Sequence, residues 1–140
     1  MIEVRAPHGK TMTCSVFVKF VSDPETDPTK AVVGLACAAQ AVTDGHDVDV
    51  FFAAASTRML VPGYLEGLME RIGAPPAMAQ QFVQVLTDGA RWHCSFNSLK
   101  ATADIEEGQG GIIVPDEAIA WSGPPGVIAL ATAADTVLCY

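Results

Sequence analysis

The side chains of this 140-residue sequence best suited to covalent chemistry are four cysteines, Cys14, Cys37, Cys94 and Cys139. Their separations are wide and irregular, and none forms a Cys-x-x-Cys pair, so they do not read as a zinc site. His8, His46 and His93 also lack companions at metal-ligand spacing, and no metal is expected. Cys94 stands apart because of its place. Ala90-Arg91-Trp92-His93-Cys94 reads as a short strand, and a helix begins at Ser95. A sulfur at that junction is expected near the positive end of a helix, where a thiolate is favoured over a thiol. Ser95 and Asn97 are then positioned to donate hydrogen bonds, and Trp92 and Phe96 to form an apolar wall. Strand alternation turns His93 away from Cys94. The other three read as structural: Cys14 starts a strand, Cys37 lies in an apolar helix, and Cys139 lies in a closing strand.

Other chemistries lack their residues. There is no Walker A loop and no Gly-x-Gly-x-x-Gly after the first strand, where Asp23, Pro24 and Glu25 stand instead. Gly108-Gln109-Gly110-Gly111 reads as a turn. No Gly-x-Ser-x-Gly elbow is present. Sixteen acids against eight bases give a net charge of −8, which disfavours nonspecific nucleic-acid binding and anchorage to an anionic membrane. The longest nearly apolar stretch, 31–42, is about half the length of a membrane span. Met1-Ile2-Glu3-Val4-Arg5 does not open a signal peptide. A cytoplasmic protein is expected.

Half of the residues are hydrophobic and mean hydropathy is +0.31, enough for a core in one domain over residues 1–140. Residues 1–12 read as a tail or an extra edge strand. Strands are predicted over 14–21, 47–55, 90–94, 112–114 and 136–140. Asp27 before Pro28 opens a helix ending at Thr43, with Gly45 as its left-handed stop. Ala31, Val32, Val33, Leu35, Ala36, Cys37, Ala38, Ala39, Ala41 and Val42 cover almost the whole circumference of that helix. It is therefore expected either to be buried on two sides, with a second subunit on one of them, or to expose small alanines. Ser56 or Thr57 is placed to cap a short helical turn to Leu60. Helices follow over 64–72, 78–87, 95–103 and 124–133. The alternation predicts an α/β fold, a three-layer α/β/α sandwich around a mainly parallel sheet of about five strands.

With these pieces in order, the sequence resembles the DsrE/DsrF-like family of small sulfur-relay proteins, also known as the YchN-like fold. The resemblance rests on the small-residue helix Ala31–Ala41 and the turn and strand Asp44-Gly45-His46-Asp47-Val48-Asp49-Val50-Phe51-Phe52. It continues in Gly89-Ala90-Arg91-Trp92-His93-Cys94-Ser95-Phe96-Asn97-Ser98-Leu99 and in the closing Ala134-Asp135-Thr136-Val137-Leu138-Cys139-Tyr140. It implies trimers or hexamers, no metal or organic cofactor, and a persulfide carried at the position of Cys94. The partners implied are sulfur donor and acceptor proteins. Relay members often continue with small residues and an Arg-Gly pair, where this chain has Ser95-Phe96-Asn97-Ser98-Leu99-Lys100. The stretch 56–76 is longer than in the minimal family and reads as a lid or a further subunit contact.

Two functions follow. In one, Cys94 accepts sulfane sulfur as a thiolate and passes it on by thiol exchange. In the other, a noncatalytic oligomer binds a small molecule or a protein at the strand ends, and Cys94 is merely packed.

Overall fold

The computed structural model describes residues 13–140; the tail or edge strand expected over 1–12 lies outside them. Five strands form one parallel sheet: β1 (Ser15–Phe20), β2 (Asp47–Phe52), β3 (Ala90–Ser95), β4 (Ile119–Ser122) and β5 (Thr136–Cys139). Their order is β4-β3-β2-β1-β5. The helices are α1 (Pro28–Thr43), α2 (Tyr64–Arg71), α3 (Ala77–Gly89), α4 (Phe96–Ala103) and α5 (Pro124–Ala133), with a 3-10 turn at Ala54–Leu60.

The topology fixes the layers. From β1 to β4 each connection steps the same way across the sheet, and the last returns to the far side of β1. Right-handed crossovers therefore put α1 to α4 on one face and α5 on the other. One face is covered by four helices and the other by a single ten-residue helix.

Strand alternation sorts the residues between these faces. Val16, Val18 and Phe20, Val48, Val50 and Phe52, and Trp92 and Cys94 join Leu35, Leu60, Leu68, Met69, Leu86 and Leu99 in the main core. Phe17 and Phe51 lie on the α5 face and meet edge to face, with ring centroids 6.4 Å apart.

Helix α1 keeps its predicted bounds for local reasons. The Asp27 carboxylate accepts from the Lys30 N–H at 3.1 Å, and Gly45 takes the left-handed conformation at φ +87°. Its apolar circumference is largely covered within the chain. A Cβ on Gly89 would collide with Val42, so α3 packs closely against it, and the Tyr140 ring lies over Gly34. Val33, 46% exposed, is its large open side chain. Alanine at position 34 ordinarily favours a helix by about 1 kcal/mol. Here a Cβ would stand 2.6 Å from Phe20 Cε1 and 2.9 Å from Tyr140 Cγ. Gly34→Ala is therefore expected to destabilise by about 1–3 kcal/mol, read as a lower urea midpoint.

Three expectations are corrected. Ile112-Ile113-Val114 is not a strand. Val114 is buried, and the Ile113 N–H donates to the Leu60 carbonyl at 2.9 Å, so the run plugs the core as a loop. The fourth strand is Ile119–Ser122, paired with β3. The stretch 56–76 is not a lid: Met59, Leu60, Leu65, Leu68 and Met69 lie in the main core. Ser56 sits inside the 3-10 turn rather than at its start, its hydroxyl accepting from the Ala53 N–H and bonding the Phe20 carbonyl at 2.8 Å. Among the described residues no helix is long and apolar enough to cross a membrane.

Candidate functional site

Cys94 is the penultimate residue of β3, beside Phe52 and Trp121, on the face covered by α1 to α4. Its side chain is 0% exposed. The thiol contacts the Ser95 carbonyl oxygen at 3.5 Å, a partner that accepts from S–H and offers nothing to S⁻. Burial pushes its pKa up to about 12. Removal of the sulfur from water opposes the thiolate that the neighbouring helix start would favour. One amide of the helix start is already engaged, since the Ser98 N–H donates to the Ser95 hydroxyl at 3.3 Å. Ser95 is thus the cap of α4, as its place predicts.

The other expected supporting residues are dispersed. Trp92 lies in the core, stacked on Phe52 with centroids 5.7 Å apart, and its indole N–H has no partner among the described residues. Asn97 and Phe96 are exposed on α4. Cys139 is exposed, and Cys14 and Cys37 are half-buried. Among the described residues no cluster of His, Cys, Asp and Glu could hold a metal ion.

Two polar features lie on the α5 face instead. Near the amino ends of the strands, Asp49 accepts from Arg91 Nε and one terminal nitrogen, both at 2.7 Å, and contacts His93 Nε2 at 2.9 Å. Arg91 also reaches Asp47 at 2.9 Å, and the His93 ring stacks on Phe51. Burial raises the pKa of Asp49, but the bonds from Arg91 and His93 outweigh it and leave the carboxyl below its usual range. The ionised carboxylate only accepts, so the His93 nitrogen facing it carries hydrogen. The stability that Asp49 contributes is present above the unfolded carboxyl pKa of about 4 and is lost as pH falls through the lower folded value. Asp49→Asn is expected to cost about 1–2 kcal/mol at pH 7. The difference between the urea midpoints of the two proteins should shrink as pH falls below about 4.

At the carboxyl ends of the strands, a cavity of about 440 Å3 lies between the sheet and the start of α5. Lys19, Phe51, Ala53, Ala54, Ser95, Ser98, Gly123, Pro124, Val127 and Ile128 line it. This is where parallel α/β sheets bind ligands. Its rim is built with strain: Ala54 takes φ +52°, a left-handed conformation costly for a residue with a Cβ. Its N–H donates to the Ser98 hydroxyl at 2.9 Å and its carbonyl accepts from Thr57 at 2.9 Å, which hold it there. Strain of this kind clusters at binding sites.

Sequence reasoning missed both features. The alternation Asp47-Val48-Asp49-Val50 against Arg91-Trp92-His93-Cys94 already puts the charged residues on one face, and Lys19 between Val18 and Phe20 is a polar break in an apolar strand.

No protein-family model and no curated protein matches the chain. Solved structures do. The chain is similar to the YchN protein from E. coli, with a TM-score of 0.62 and 14% identity, over 92% of this chain and 100% of that one. This likeness shows the fold: the chain has the α/β architecture of YchN, the DsrE-like fold, with its five strands all parallel. At such identity fold does not carry chemistry with it.

Proposed function

We propose that this chain is an oligomeric binding protein of the DsrE-like fold that takes a small molecule in the strand-end cavity and makes no use of a cysteine nucleophile. The observation that carries the reading is a contrast at the end of β3. Cys94 faces the sealed core, whereas its neighbour Ser95 lines an open cavity. A persulfide carrier needs an ionised sulfur that a partner thiol can reach; Cys94 offers neither accessibility nor a lowered pKa.

The oligomer is supported by what α5 leaves uncovered. No residue of this apolar helix is buried, Ile128 is 62% exposed, and Val137 on the neighbouring edge strand β5 is 47% exposed. An apolar surface of that kind beside an open sheet edge suits a second copy of the chain. Trimer or hexamer is the assembly that the family resemblance implies.

The test combines two measurements on the full chain. Sedimentation velocity is expected to give an assembly larger than a monomer, dissociated by Ile128→Asp. A fragment screen followed by amide chemical shifts is expected to move Ala53, Ala54, Ser95 and Ser98. A monomer at all concentrations overturns the assembly; fragments that never perturb these amides overturn the binding site.

A further inference from the structure

The polar side chains lining the strand-end cavity are hydrogen-bond donors left without acceptors, and from this we infer that its ligand is a small organic carboxylate with an apolar body. The inference rests on the binding reading above and specifies the ligand.

Six lysines and arginines fall within residues 13–140. Arg58, Arg71, Arg91 and Lys100 each face a carboxylate at 3.3 Å or less. Lys30 is exposed on α1. Lys19 differs from all of these. It projects from β1 beside Phe51 on the α5 face, half-buried in the cavity wall, and its side chain makes no ion pair or hydrogen bond among the described residues. In a chain of net charge −8, carboxylates are plentiful, yet none lines this cavity. A cation in a cavity wall that holds no carboxylate is free to take its counter-charge from a bound anion.

Two hydroxyls join it. Ser98 Oγ accepts from the Ala54 N–H and Ser95 Oγ accepts from the Ser98 N–H. Each oxygen is thereby engaged as an acceptor, and neither hydroxyl hydrogen has an acceptor among the described residues. One ammonium and two O–H groups are thus available to donate, a set matched by the two oxygens of a carboxylate. The remaining side chains exclude a bare ion: Phe51, Ala53, Ala54, Pro124, Val127 and Ile128 form an apolar wall. A cavity of about 440 Å3 falls within the range of ordinary small-molecule sites and holds an acid with a short alkyl or single-ring body.

The test is a titration of the full chain, followed by amide chemical shifts, with hexanoate, hexan-1-ol and inorganic phosphate as probes. Hexanoate is expected to move the amides of Ala53, Ala54, Ser95, Ser98, Val127 and Ile128 and to bind at least tenfold more tightly than either other probe. Lys19→Met should bring hexanoate down to the level of the alcohol with the fold intact by its amide spectrum, while Lys19→Arg should retain the preference. Equal binding of hexanoate and hexan-1-ol overturns the anion while leaving the binding cavity standing. Phosphate binding as tightly as hexanoate overturns the apolar body. If none of the three moves the cavity amides, the inference falls; if fragments of other chemistry do so, the binding reading survives it.

Discussion

Iodoacetamide added to the native protein at pH 8 is expected to label Cys139 first and Cys94 last, with at least a thousandfold between their rates. Cys139 is exposed and Cys94 is 0% exposed. Ionisation slows Cys94 further. Burial moves the Cys94 thiol from 9.0 to about 12, so at a given pH its thiolate is about a thousandfold rarer than that of an ordinary cysteine. The sulfur must also be uncovered before a reagent reaches it, and it lies in the main core with Leu99 and Trp92. The check is a labelling time course read by peptide mass, repeated in concentrated guanidinium, where the four thiols should become comparable. Labelling of Cys94 at the pace of Cys139 in the native protein would contradict the burial on which the binding reading depends.

Replacing Phe52 by alanine is expected to cost about 3–5 kcal/mol. Phe52 is 1% exposed at the centre of the sheet. Its ring lies nearly parallel to that of Phe20, 4.8 Å away at an interplanar angle of 5°, and 5.7 Å from Trp92 at 15°. One ring thus joins β1, β2 and β3 on the face covered by α1 to α4, and its loss opens a cavity that both neighbours line. A domain of this size is stable by about 5–15 kcal/mol, so the change removes a large share of the total. Urea unfolding should show a much lower midpoint with an unchanged slope. Phe52→Leu, which leaves most of the volume filled, should cost appreciably less. A midpoint shift below about 1 kcal/mol for Phe52→Ala would mean that the stack is not central to the core.

What could be read in the sequence was what local chemistry determines. Asp27, Pro28 and Gly45 bound α1 because a capping carboxylate, a fixed φ and a left-handed stop act within a few residues. The strands 15–20, 47–52 and 136–139 carry enough β-branched and aromatic residues to be legible, 90–95 follows a helix stopped by Asp88-Gly89, and the layered parallel fold follows from the alternation of strands with helices. The fourth strand was not legible. Ile112-Ile113-Val114 is the stronger strand sequence, but burial beneath Leu60 claims it, while Ile119-Ala120-Trp121-Ser122 becomes a strand only because β3 offers an edge.

The site shows the same division. Alternation placed His93 and Cys94 on opposite faces, and they are. It could not tell which face four helices would cover. That depends on the return crossover from β4 to β5, a long-range property with no signature near residue 94. Cys94 consequently fell on the sealed side and Ser95 on the open one. Lys19 shows the limit from the other direction. Its isolation becomes visible only once the partners of Arg58, Arg71, Arg91 and Lys100 are known.

Intact-mass analysis after exposure to a persulfide donor, for the natural protein and for Cys94→Ser, tests most directly whether the strand-end cavity or the cysteine is the working site. Any 32-Da additions are expected to be identical in the two proteins and to map to the accessible thiols, Cys139 foremost. A single added sulfur on the natural protein that disappears in Cys94→Ser would contradict this.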